Sequence, residues 1–234
     1  MISHKRKCIF FHIPKCGGQS VEDIFIRDAG LTWESREPLL LRKNTNPLVG
    51  PPWLAHLTYR EYLAYNYVSP ELMADYYKFA IIRNPYQRLE SLYKYMGYDC
   101  VMKFSDFISE VIVKNLVNKG NLFYFIKPQY EYLVNNDGVI CIDEILKLEE
   151  VGYGFKKIAK KLELEESSLP FINAYRKKSF FSKIKKRVKC GLNGHVRYGL
   201  NFDYKVSWTN DLLTQVNSYY ERDFKEFGYE LENK

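Results

Sequence analysis

Two short apolar runs constrain the fold of this 234-residue chain more than any other feature: residues 8–13 (CIFFHI) and residues 78–83 (KFAIIR). Each is stopped by a proline, Pro14 in the first case and Asn84-Pro85 in the second. Runs this short with no polar alternation read as strands buried on both faces, the kind found in parallel sheets. A helical pattern comes after each of them. Val21, Ile24 and Phe25 recur at helical spacing after a Ser20/Asp23 capping arrangement, and Leu89, Leu92, Tyr93 and Met96 mark an apolar helix face after the second run. A third strand is expected at 139–142 after the Asn-Asp-Gly turn, and further helices at 59–65 (capping box Thr58 and Glu61), after Ser69-Pro70-Glu71, and at 104–117, 155–162 and 210–224. Strands alternating with helices predict an α/β fold with a central, mostly parallel sheet flanked by helices.

The chain is 46% hydrophobic and 27% charged, enough to bury a full core, and one domain over 1–234 is the simplest organisation. Residues 31–55 and 170–205 are expected as substrate-side excursions from it; the first holds no sustained period. The net charge of +7 is local, because residues 176–189 carry eight basic side chains and no acidic one. Phe180, Phe181, Ile184 and Val188 share this segment at helical spacing, which makes a basic amphipathic helix suited to an acidic polymer or an anionic membrane. No run approaches the roughly 18 uninterrupted apolar residues of a membrane span, so a cytoplasmic location, with contact at the inner membrane face through 176–189, is expected. The five cysteines are scattered without a CxxC pair, and the four histidines lack metal-ligand spacing; no metal requirement is expected.

The chemistry is concentrated at the two strand ends. Residues 11–20 (FHIPKCGGQS) place Lys15, Gly17 and Gly18 between a strand and a helix start. Glycines let backbone N–H groups approach phosphate oxygens, the helix start adds partial positive charge, Ser20 offers a hydroxyl, and Lys15 brings a full charge. The order differs from GxxxxGK[ST], since Lys15 precedes the glycines. Arg83 leaves the carboxyl end of the second strand, the side on which open α/β sheets take ligands, and Ser91 lies in the next helix.

Together these segments resemble the sulfotransferases that use 3′-phosphoadenosine 5′-phosphosulfate (PAPS), in particular the carbohydrate type that includes the heparan sulfate 2-O-sulfotransferases. The likeness continues through Ala55-His56-Leu57, Lys127-Pro128-Gln129, Leu148-Glu149 and the closing YYERDF and FGY runs. The resemblance implies a three-layer P-loop-like sandwich. It also implies that Lys15, Cys16, Gly17, Gly18, Gln19 and Ser20 hold the 5′-phosphosulfate, and that Arg83 and Ser91 hold the 3′-phosphate. Gln19 departs from the threonine usual there. Lys15 would stabilise the leaving phosphate, and His56 would be the base that activates a hydroxyl of a carbohydrate or glycoconjugate.

Plainer readings stand beside these. Taken singly, Arg83 is an ordinary salt-bridge partner, Ser91 a packing residue, and His56 a residue leading into a helix. His12 reads as a buried structural histidine. Cys16 sits where a thiolate is favoured, yet no base accompanies it. Two other functions remain open: a P-loop-type nucleotide kinase, and a basic nucleic-acid-binding protein using 176–189. The first lacks a Ser/Thr directly after a P-loop lysine; the second leaves both phosphate motifs unexplained, and no nucleic-acid partner is expected.

Overall fold

The computed structural model describes residues 1–170 and 204–232; the basic segment 176–189 and most of the expected 170–205 excursion lie outside them. The described residues form two compact units. One comprises Met1–Arg83 and residues 127–170, the other Asn84–Ile126 and residues 204–232.

The first unit holds a four-stranded sheet in sequence order, β1 (Ile2–Ser3), β2 (Cys8–Phe11), β3 (Tyr77–Ile82) and β4 (Glu144–Lys147). β1 runs antiparallel to β2, while β2 with β3 and β3 with β4 are parallel, so the α/β expectation holds. Register is fixed by Phe10 opposite Phe79 and by Ala80 opposite Ile145. Helices α1 (Gly18–Asp28), α2 (Tyr59–Ala64) and α3 (Pro70–Asp75) intervene between β2 and β3, and a helix at Val151–Lys161 comes after β4. The Phe10 and Phe79 rings sit 5.0 Å apart, with Phe25 of α1 6.1 Å from Phe79, and all three are inaccessible to water. The Thr58/Glu61 capping box is present at α2, and Ser69 caps α3 with Pro70 in its first turn.

Three local expectations are corrected. Residues 139–142 are not a strand of the sheet. Asn135 Oδ1 accepts from the N–H groups of Asp137 and Val139, Val134 bridges Ile140, and the chain makes a small hairpin; β4, two residues later, takes the place beside β3. At α1 no side-chain cap forms. Gly17 occupies the cap in the left-handed region at φ 81°, and the Ser20 hydroxyl donates to the Pro170 carbonyl at 2.6 Å. The closing helix is broken at Tyr220 into Asn210–Tyr219 and Glu221–Phe227.

The second unit opens with α4 (Pro85–Met96), capped by Asn84, whose Oδ1 accepts from the Tyr86 and Gln87 N–H groups. Residues 104–117 are helical throughout, with i→i+5 bonding over Phe107–Val113. The core of this unit joins Tyr86, Tyr93, Phe104 and Phe107 to Leu213, Tyr220 and Phe224. Buried tyrosines keep their hydroxyls satisfied, Tyr93 donating to the Met102 carbonyl at 2.6 Å and Tyr220 to that of Ile126 at 2.7 Å. Among the described residues no helix is long and apolar enough to cross a membrane.

Phe79 is the ring on which the sheet and α1 meet. Phe79→Ala is expected to cost about 3–5 kcal/mol through lost burial and a residual cavity, read as a lower urea midpoint at unchanged slope.

Candidate active site

β2 ends at Phe11, and the chain turns through His12-Ile13-Pro14 into the loop 15–17 before α1 begins. Lys15 stands at φ 70° and Gly17 at φ 81°, with Cys16 between them outside the left-handed region. For Lys15, which has a Cβ, the left-handed conformation costs energy that the surrounding bonds must hold. The Cys16 N–H donates to the Ile13 carbonyl at 3.3 Å, and the Ser20 N–H to that of Gly17 at 3.1 Å. Above the loop, the Leu148 side chain lies within 2.8 Å of where a Cβ on Gly17 would stand, so bulk there is barred by contact as well as by φ.

Arg83 emerges from the end of β3 in the same unit. Its Nη1 donates to the Lys15 carbonyl at 3.4 Å, which brings the two expected cations together. Burial, and next the positive charge of Arg83, push the Lys15 ammonium down to about 8 from 10.5. Arg83 Nε is buried and has no hydrogen-bond partner among the described residues. An ammonium disfavoured first by burial and then by its neighbour's charge, near a guanidinium whose buried Nε has no partner among the described residues, is an environment that an anion would relieve.

The histidines occupy the other flank of the loop. The His56 Nδ1 donates to the His12 carbonyl at 3.0 Å, which puts the proton of the neutral ring on Nδ1 and the lone pair on Nε2. Both histidines are buried, and their rings meet edge to face at 4.6 Å. The His12 ring packs against Gly18, and one turn along α1 its Nδ1 donates to Glu22 Oε1 at 2.5 Å. His12 is thus a buried structural histidine, as its strand pattern implies, with a partner ten residues away that no local pattern marks.

One further residue belongs to the site although the sequence gives it no physical role there. Gln129 is fully buried; its amide accepts from the Arg83 N–H at 2.9 Å, donates to the Arg83 carbonyl at 2.7 Å, and accepts from the Cys16 thiol at 3.2 Å. That thiol is buried and spent on support. Lys127, two residues earlier, approaches Glu61 of the α2 cap at 3.9 Å. Gln19 and Ser20 lie half-exposed in the first turn of α1, and Ser91 lies half-buried in α4 of the second unit, which runs past it to Met96. Among the described residues no group of His, Cys, Asp and Glu is placed to hold a metal ion.

Gly18 has no conformational need to be glycine, so its role is space for His12. Gly18→Ala is expected to cost about 1–3 kcal/mol by overpacking, with most of that cost gone in a His12→Ala background, measured as a double-mutant cycle in thermal unfolding.

One comparison with known proteins bears on this geometry. A model described as the Sulfotransferase family matches residues 1–230. No curated protein and no solved structure is matched. The match spans the loop at Lys15, the strand end at Arg83 and the buried supports behind them, and on that extent this chain belongs to the sulfotransferase family.

Proposed function

We propose that this sulfotransferase moves a sulfuryl group from PAPS to a hydroxyl of a carbohydrate or glycoconjugate. The observation that carries the reading is the Lys15–Arg83 pair, two half-buried cations joined through the Lys15 carbonyl, with the Arg83 Nε left unsatisfied among the described residues. The donor set fits a nucleotide with a charged group at each end. Glycine at 17 and 18 keeps the loop backbone accessible, in space that a side chain would contest with Leu148 and His12.

PAPS, when bound, supplies an activated sulfuryl group on a phosphate leaving group. Lys15, held at φ 70°, would set its ammonium beside the 5′ end with Cys16, Gly17, Gly18, Gln19 and Ser20 as the cradle, and Arg83 with Ser91 would take the 3′-phosphate. Positioned charge matters most for such a transfer, because negative charge accumulates on outer oxygens with little covalent work for the protein. His56 would accept the acceptor hydroxyl's proton at Nε2, the Nδ1–H being committed to the His12 carbonyl. Ser20 has to turn its hydroxyl from Pro170 to serve a phosphate. A cytoplasmic location and contact of 176–189 with an acidic acceptor or an anionic membrane belong to this proposal.

The decisive experiment is transfer of labelled sulfate from PAPS to a panel of polysaccharide, lipid-linked and phenolic acceptors. Labelled carbohydrate supports the reading; label on the phenols alone, or on none while ATP rather than the bisphosphate stabilises the fold, sinks it. His56→Ala is expected to keep affinity for 3′-phosphoadenosine 5′-phosphate and lose about 10²–10⁴ in turnover.

The Lys15 shift gives a pH dependence of definite sign. Its folded-state value, about 8, lies below the unfolded 10.5, so the ammonium penalises the free fold fully below pH 8, and that penalty fades between 8 and 10.5. A bound anion reverses this, since it favours the ammonium. Stabilisation by 3′-phosphoadenosine 5′-phosphate is therefore expected to be largest below pH 8 and to decline above it, and Lys15→Met is expected to flatten the profile in a thermal-shift series from about pH 7 to 10.

A further inference from the structure

Gln129 touches both cation-bearing segments. Its amide bonds both the N–H and the C=O of Arg83, at 2.9 and 2.7 Å, in the way a neighbouring strand would. The same Oε1 accepts from Cys16, the residue after Lys15, at 3.2 Å. Nothing of Gln129 reaches solvent. Arg83 stands just beyond the last residue of β3, where the sheet ladder has stopped and its peptide groups need another partner. Fixing both peptide groups fixes the Cα–Cβ direction of Arg83, and the tie to Cys16 fixes the span between that direction and the loop.

We infer that Gln129 is a positioning residue that sets the distance between the Arg83 guanidinium and the Lys15 loop, and so makes the site select a nucleotide phosphorylated at both ends over one phosphorylated only at the 5′ end. This deepens the PAPS reading and rests on it. A spacer works by holding both ends. Losing it leaves each cation present but its separation undefined, which costs little for a ligand that uses the loop alone and much for one that must satisfy both groups at once.

The test is a pair of dissociation constants, for 3′-phosphoadenosine 5′-phosphate and for adenosine 5′-phosphate, measured by calorimetry on the full chain and on Gln129→Met, Gln129→Asn and Arg83→Ala. Asparagine keeps the amide but is one methylene too short to span both partners, and it carries the test should the methionine variant not fold. The expected result is a fall of about tenfold in the preference for the bisphosphate in the Gln129 variants, in the direction of Arg83→Ala, with the monophosphate affinity kept within about twofold. An equal loss for both ligands, or an unchanged preference, overturns the spacer role. A wild-type chain that binds both nucleotides alike overturns the PAPS reading itself, whatever the variants do.

Discussion

The parallel pairing of β2 with β3 is the constraint from which the site arises. With Phe11 opposite Ala80, the two strands finish side by side with their carboxyl ends at one edge. Lys15 then stands four residues beyond the first strand's end and Arg83 one residue beyond the second's, so two residues far apart in sequence meet, the Arg83 guanidinium donating to the Lys15 carbonyl. An antiparallel pairing of the same segments would send them to opposite edges. The register is held by rings, Phe10 on Phe79 with Phe25 against Phe79, and a one-residue slip would take Phe10 and Phe79 to opposite faces of the sheet and break that contact.

Holding Lys15 and Arg83 near each other costs free energy, and the side chains packed around them are neutral. The Lys15 backbone is strained, its ammonium depressed, and Arg83 Nε unsatisfied among the described residues. The amide of Gln129, the thiol of Cys16 and the side chain of Leu148 brace the loop and the strand end without bringing charge of their own. A carboxylate in any of those three places would relieve the repulsion and compete with an anion bound there. On the proposed reading, neutral bracing would keep the field directed at an incoming anion, and a field fixed in advance needs no reorganisation when charge develops during a transfer.

Local physics is legible in the sequence, and non-local physics is not. The strands at 8–11 and 77–82, the capping box at Thr58 and the stop at Asn84-Pro85 are readable because each depends on residues within one or two turns. The third strand is misplaced for a reason of the same kind: the Asn135–Gly138 turn is visible, but its two arms pair with each other instead of feeding the sheet. The loop and Arg83 are found through their chemistry, a lysine and glycines at one strand end and an arginine at another. Gln129 and Glu22 escape, since a buried amide bonded to a backbone 46 residues away and a carboxylate on a histidine ten residues back leave no periodic trace. The Lys127-Pro128-Gln129 run shows in the sequence only as a family likeness, without a physical role.

The loop segment also fixes the orientation of His56. His12, the residue after β2, leads into the Lys15 loop, gives its carbonyl to His56 and its ring to Glu22 and Gly18. A histidine can serve as base at Nε2 only while Nδ1 keeps its proton, and here the group that secures that proton is a peptide carbonyl, which cannot itself titrate. The tautomer of His56 is thereby tied to the backbone path of the loop, and that path is pinned to α1 through Glu22. On the proposed reading, a distortion of the loop that weakened anion binding would also move the carbonyl on which His56 depends, so affinity and proton transfer would share one mechanical origin, and Gln129, bonded to Arg83 and to Cys16, would act on the same loop from its strand-end side.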